Sequence, residues 1–223
     1  MKIIAKIQTD MSDKFGIPRQ SGIVKELTGK IIFEPEFRVK EVLNGIEEFS
    51  HLWLLWEFSE NKRDNWSPTV RPPRLGGEKR KGVFATRSPF RPNPIGMSCV
   101  KLERVEYTKA LGPIIYVSGV DLMNGTPIYD IKPYITYTDC VPDAVQGFAE
   151  EYKNYALNVD FPQELLDRIP KDKQSALIGI LRHDPRPAYQ NTPDRIYGVR
   201  YMNFDVHFKV KNDTLTVTNI NTI

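Results

Sequence analysis

Apolar and polar residues alternate from Ile3 to Thr9, the period of a strand with one face buried. Two more β-like runs, Gly22 to Leu27 and Lys30 to Glu34, flank Thr28-Gly29, which reads as a hairpin turn. Val42, Leu43, Ile46 and Phe49 fall at helical spacing and predict a short amphipathic helix over Val39 to Phe49. His51 to Phe58 is a continuous apolar strand, and strands resume at Met97 to Tyr107, Pro113 to Asp121 and Ile128 to Tyr134. Between them, Ser59 to Gly96 shows little period and is crowded with proline and glycine. Asp143 to Ala156 and Gln163 to Arg182 carry helical patterns, the second interrupted by Pro170. Two strands close the chain, Ile196 to Val210 and Thr214 to Ile220, joined across Lys211-Asn212-Asp213, and a phase slip at Met202-Asn203 predicts a bulge.

The early part of this order is strand-rich and lacks the crossover helices that a doubly wound parallel sheet requires. It predicts a mainly β fold, with a closed or nearly closed β-barrel over residues 1–138 and a small α+β lobe over 139–223. The 223 residues are 40% hydrophobic, enough for a substantial core. Their net charge of +3 is too mild to announce a nucleic-acid partner. Cys99 and Cys140 have no metal-like spacing; in apolar surroundings they read as reduced core thiols, which fits a cytoplasmic protein. The first residues run into a strand rather than a signal-like apolar region. The apolar run Leu52 to Phe58 is far short of the roughly 20 residues that cross a bilayer.

The distribution of charge changes the picture. Arg71, Arg74, Lys79, Arg80, Lys81, Arg87 and Arg91 lie within one stretch of 21 residues that holds a single acid, Glu78. Pro72, Pro73, Pro89, Pro92 and Pro94 stiffen the segment. A cationic loop held in shape suits a phosphate backbone, where Arg and Lys displace condensed counterions. The glycines Gly76, Gly77 and Gly82 match neither of the glycine-rich phosphate-binding patterns. Asn93-Pro94-Ile95-Gly96 and Asp184-Pro185-Arg186-Pro187 lack the aromatic that the methyltransferase Asn/Asp-Pro-Pro-aromatic signature needs at its fourth place. Three scattered histidines build no metal site.

Seven segments carry a family resemblance: Pro18-Arg19-Gln20; Phe49 to Trp53; Arg71 to Gly77; Gly82 to Gly96; Asp121-Leu122; Gly125-Thr126-Pro127 with Asp130 to Tyr134; and Asp184 to Tyr189. In this order they closely resemble the TrmO family, also called TsaA-like or YaeB-like, from near the N-terminus to about Phe208. The resemblance implies a single-sheeted β-barrel methyltransferase that works as a homodimer and binds S-adenosylmethionine near the dimer interface. It also implies a substrate, N6-threonylcarbamoyladenosine just 3′ of the anticodon in tRNA. Matched by motif, Pro18, Arg19, Gln20, Ser59, Glu60, Arg87, Met97, Val120, Asp121 and Leu122 are the implied cofactor set. Ser59 and Glu60 depart from the family's usual side chains there, which main-chain contacts would tolerate.

An adenine N6 is a poor nucleophile, but a carbamoyl substituent makes its N–H more acidic, so a general base is useful though not obligatory. Asp121 is a candidate base or cofactor ligand, or else a turn-former beside Asn124-Gly125. Tyr189 is the second catalytic candidate, stacking on a splayed base or touching N6, or else a packed aromatic of the C-terminal lobe. Asp184 and Arg186 read as a pair that shapes their loop, His51 as a core histidine, and the Trp53, Trp56 and Phe58 group as core or dimer interface. Arg71, Arg74, Lys79, Arg80, Lys81 and Arg91 are the residues expected on the tRNA anticodon arm, with no metal and no membrane. A non-catalytic RNA-binding barrel is the competing reading; it shares the cationic loop and takes up no cofactor.

Overall fold

A computed structural model describes residues 1–61, 66–72, 75, 79–186, 192 and 195–223. Strands β1 (Ala5–Thr9), β2 (Thr28–Phe33), β3 (His51–Glu57), β6 (Ile95–Thr108), β7 (Gly112–Ser118) and β8 (Pro127–Pro133) close into an antiparallel barrel, ordered β1-β2-β7-β6-β3-β8. Strand β4 (Thr69–Val70) and β5 (Lys81–Gly82) form a separate two-stranded ribbon in the cationic segment. Strand β3 shows why the barrel holds. Leu52, Leu54 and Trp56 point inward and are buried, while Trp53, Leu55 and Glu57 face outward. It is paired with β6 on one side and β8 on the other, so a strand with so apolar a composition has no open edge.

The second unit is a four-stranded sheet ordered β10 (Tyr197–Tyr201), β11 (Phe204–Lys211), β12 (Thr214–Thr222) and β9 (Asn158–Asp160), with β9 parallel to β12. Helices α2 (Gln163–Leu166) and α3 (Lys171–Arg182) pack on it, while α1 (Thr136–Asp139) follows the last barrel strand and accepts through Asp139 from Trp53 of β3. Pro170, with no N–H to donate, separates α2 from α3 as the sequence pattern reads.

Several expectations are corrected. Gly22–Leu27 is a chain of turns rather than a strand: Gly22 takes φ +76° and donates to the Gly119 carbonyl. Thr28-Gly29 therefore opens β2 instead of turning a hairpin, and Gly29 sits in register with both Thr9 and Val117. The amphipathic helix over Val39 to Phe49 is replaced by two 3-10 turns, Lys40–Leu43 and Ile46–Glu48, interrupted at Gly45 with φ +83°. Of its four apolar positions only Leu43 is buried, too little to hold an α-helix on the barrel. Asp143 to Ala156 contains a 3-10 stretch, Gly147–Tyr152. Met202-Asn203 is the two-residue turn of the β10–β11 hairpin, not a bulge; the bulge lies between His207 and Phe208. Cys140 is exposed and Cys99 half-buried, so neither is a core thiol.

The lobe does not hang free. Lys173 of α3 pairs with Asp10 at 2.6 Å, and the Met202 N–H donates to the Asp10 carbonyl at 2.8 Å. Gly179 lies so close to Val24 that a Cβ would come within 2.6 Å of it, and Gly16, at φ +93°, presses on Val199 in the same way. The segment from Asp10 to Val24 is thereby clamped between barrel and lobe. That clamp fixes Pro18, Arg19 and Gln20 in space.

Candidate active site

Barrel, lobe and cationic segment meet at a broad cleft of about 2070 Å³, lined among others by Arg19, Trp56, Arg87, Asp121 and Arg186. It is larger than the roughly 300–1,000 Å³ of a site for one small ligand. At its floor, strand β6 turns Ser98 into the barrel, where the residue has no exposure. The Ser98 hydroxyl donates to Asp121 Oδ1 at 2.5 Å and accepts from Trp56 Nε1 at 2.9 Å. Burial raises the Asp121 carboxyl to about 6, opposed by hydrogen bonds from Ser98 and the main chain at Asp121 and Ser21, and by the Arg87 charge. A carboxyl so placed is largely ionised at neutral pH and still able to take a proton.

The Arg87 charge acts on this carboxyl, and Arg19 lines the same cleft. Arg87 donates through Nη1 to Gln20 Oε1, and Arg19 donates through Nη2 to the Arg186 carbonyl at 3.2 Å. Arg186 grips Asp184 with two hydrogen bonds, Nε to Oδ1 at 2.8 Å and Nη2 to Oδ2 at 3.0 Å. Burial would raise the Asp184 carboxyl, but the Arg186 pair outweighs it and holds Asp184 below the usual range. Asp184 and Arg186 thus shape their loop as the sequence reading expects. Arg186 Nη1 is buried with no hydrogen-bond partner among the described residues, the kind of donor that a bound anionic oxygen satisfies.

The residues expected to hold a cofactor divide by position. Pro18, Arg19, Gln20, Ser59, Glu60, Arg87, Met97 and Asp121 all line the cleft, with Met97 about half exposed at its wall. Val120 and Leu122 do not: their side chains are in the core, the Val120 N–H goes to Leu27 and the Leu122 carbonyl accepts from Thr9. Of that turn, Asp121 is the residue that reaches the cleft.

Among the cationic residues, Arg71, Arg80 and Arg91 line the cleft, while Lys79 and Lys81 stand outside its lining. Arg80 is tied to Thr69 through two hydrogen bonds, and Arg91 braces the Thr86 carbonyl at 2.9 Å. Arg74 and Tyr189 lie outside the described residues. His51 is neither core nor cleft; it sits half-buried, hydrogen-bonded to Ser50 and edge-on to Tyr134. Trp53 and Trp56 part company, Trp56 turning into the barrel against Phe58 and Trp53 outward to Asp139. Sequence reasoning missed Ser98 and Ser21, since a serine on a strand and one in a turn carry no signal until the chain folds.

Among the described residues, no group of three or more His, Cys, Asp or Glu could hold a metal ion, and no helix is long and apolar enough to cross a membrane.

Two family models match the chain: the tRNA-methyltransferase O N-terminal domain over residues 6–140 and the TrmO C-terminal domain over residues 154–223. A tRNA (adenine(37)-N6)-methyltransferase of Escherichia coli is 40% identical over 215 residues, covering 93% of this chain and 91% of that protein. A Pseudomonas aeruginosa protein, 40% identical over 214 residues, covers 92% and 90%; it bears a provisional description as an S-adenosylmethionine-dependent methyltransferase. The crystal structure of TrmO from Pseudomonas aeruginosa superposes with a TM-score of 0.77 at 33% identity, covering 98% of this chain and 97% of that one. Two matching domain models in order, extended similarity to a tRNA methyltransferase and a shared tertiary structure agree, and the chain belongs to the TrmO family of tRNA methyltransferases.

Proposed function

We propose that this chain is an S-adenosylmethionine-dependent tRNA (adenine(37)-N6)-methyltransferase whose substrate nitrogen is that of N6-threonylcarbamoyladenosine beside the anticodon. The observation that carries the reading is the convergence of Arg19, Arg87 and Asp121 on one cleft that opens onto the cationic segment. The donor set suits the cofactor: Arg19, Arg87 and the orphaned Arg186 Nη1 for its carboxylate, Glu60 for hydroxyls, and Met97, Trp56 and Phe58 for an apolar wall. When bound, S-adenosylmethionine supplies an electrophilic methyl group on a sulfonium. The cleft's volume leaves room for a nucleotide as well.

Asp121 is the group placed to take the proton from the carbamoylated N6, which is more acidic than that of plain adenine. Ser98, itself held by Trp56, fixes the carboxylate at one orientation, and its hydrogen bond, with smaller help from the main chain and the Arg87 charge, limits the rise that burial imposes. Arg71, Arg74, Lys79, Arg80, Lys81 and Arg91 supply the charge that positions the anticodon arm. Alignment of nucleophile and methyl is the main task in a displacement of this kind, and a site built from a clamped loop serves it. Residues 1–138 carry the cofactor set, and residues 139–223 contribute Asp184 and Arg186 to the cleft's other wall.

The working form is a homodimer in the cytoplasm. Tyr137, Val141 and Val145, 88%, 61% and 96% exposed, follow the last barrel strand and are a surface that a second copy would cover. Sedimentation of the purified protein tests this, and a monomer at working concentration overturns it.

The function itself is tested by mass spectrometry of tRNA nucleosides after incubation with S-adenosylmethionine. Methylation is expected of tRNA that carries the threonylcarbamoyl group and not of tRNA that lacks it. Equal methylation of both would overturn the substrate assignment, and no product from either would return the chain to the non-catalytic RNA-binding reading.

A further inference from the structure

The cleft has an aromatic feature that the proposed chemistry leaves unused. Phe84 lines it and is 74% exposed, and Trp66 beside it is 53% exposed. Their rings lie within 25° of parallel, with centroids 6.5 Å apart, and the Arg91 guanidinium stands 6.0 Å from the centre of the Phe84 ring. Single exposed apolar side chains are ordinary on a protein surface; a near-parallel pair of large rings inside a cationic segment is not.

Local structure explains how Phe84 comes to face outward. Residues Val83–Ala85 form one 3-10 turn in which Val83 is the buried anchor, and the Thr86 N–H and hydroxyl both return to the Val83 carbonyl. With Val83 driven inward, the turn presents Phe84 to the cleft. Arg91 then ties the far side of the same loop through the Thr86 carbonyl. The fold thus anchors a turn whose apex residue adds no burial of its own.

We infer that Trp66 and Phe84 form a stacking platform for an unpaired nucleobase of the RNA, a loop base other than the adenosine brought to Asp121. The charge around it fits that occupant: Arg71, Arg80 and Arg91 line the same cleft and attract the phosphates on either side of such a base. Every base has a π-face, so the platform tolerates any sequence and grips only a base that has left its helical stack. Recognition is thereby biased towards a loop and away from duplex, a discrimination that phosphate contacts alone do not provide. The inference rests on the RNA-methylation reading given above.

The test is the affinity of the full chain for a synthetic anticodon stem–loop RNA, across a range of salt, for the wild type, Trp66→Ala, Phe84→Ala and Phe84→Tyr. Each alanine variant is expected to lose roughly 5- to 140-fold in affinity, the range for removing one base–aromatic stack. The slope of log affinity against log salt should stay unchanged, because no phosphate contact is removed, and Phe84→Tyr should bind as the wild type does. Affinity for a fully paired RNA of equal length should be the same in all four proteins. Alanine variants that bind the stem–loop within two-fold of the wild type overturn the platform while leaving the RNA reading in place. So does a loss that is equal for stem–loop and duplex. A change of oligomeric state in light scattering, with affinity per dimer retained, makes the pair a contact between copies instead and likewise overturns it. Failure of the wild type to bind the stem–loop at all defeats the RNA reading itself, and the platform with it.

Discussion

Asp121 is placed at a cost to stability, and the sign of that cost is testable. Its folded-state value of about 6 lies above the ordinary 3.8, so the fold favours the protonated form. The corresponding stability is fully present below pH 4 and lost as pH rises through 6. Asp121→Asn should therefore raise stability above pH 6, by no more than about 3 kcal/mol, with the gain vanishing near pH 4. Thermal melts across pH check this, and a variant that is less stable at pH 8 would contradict it. Methyl transfer should rise with pH to a plateau above pH 6 in the wild type and be lost in Asp121→Asn. Ser98→Ala removes the hydrogen bond that restrains the Asp121 carboxyl, so the midpoint of that profile should move upward. It also leaves Trp56 Nε1 buried without an acceptor, at about 1–3 kcal/mol. A midpoint that stays put would show that Ser98 does not act through Asp121.

At the scale of elements, the pairing of β3 with β6 builds the cleft floor. Trp56 lies across Gly96, where an added Cβ would come within 2.3–2.6 Å of its indole. Only glycine permits that contact, and the indole in turn reaches Ser98. Gly96→Ala should cost about 1–3 kcal/mol by overpacking and should slow methyl transfer as well, because displacing Trp56 disturbs the Ser98–Asp121 contact. Denaturant melts with rate measurements check both effects, and full activity in this variant would separate Trp56 from the chemistry. The strands themselves were readable because alternation and apolar runs report burial directly. The 3-10 turns at Lys40–Leu43 and Ile46–Glu48 were not, since their apolar spacing mimics a helix that the core never supports.

Over the whole molecule, the mild net charge of +3 conceals a concentrated positive face at the cleft's rim. Charge acts on a polyanion by counterion displacement, so it should appear in salt dependence more than in affinity at one condition. The double variant Arg71→Ala/Lys79→Ala should reduce the slope of log affinity for tRNA against log salt by about 1.4, at 0.7 for each phosphate contact to a single strand. Titrations at several salt concentrations read this out, and an unaltered slope would remove the segment from the RNA surface. The barrel and lobe act together here, because Gly16, Gly179 and the Lys173–Asp10 pair lock the Asp10 to Val24 segment between them.

Local pattern was sufficient for the barrel strands, the break at Pro170 and the cationic, proline-braced segment, because period, chain stiffness and charge are properties of neighbouring residues. The motif segments also pointed to Arg19, Arg87 and Asp121. Folding added what neighbours in the chain cannot encode. It set Ser98 between Trp56 and Asp121, from three different stretches, and turned the Val120 and Leu122 side chains into the core while Asp121 reached the cleft. It made Met202-Asn203 a turn and brought Trp66 against Phe84. The reason is common to all of these. Each depends on where the folded chain carries its segments, and the environment that shifts a carboxyl, sets a turn or exposes an aromatic is built by that packing.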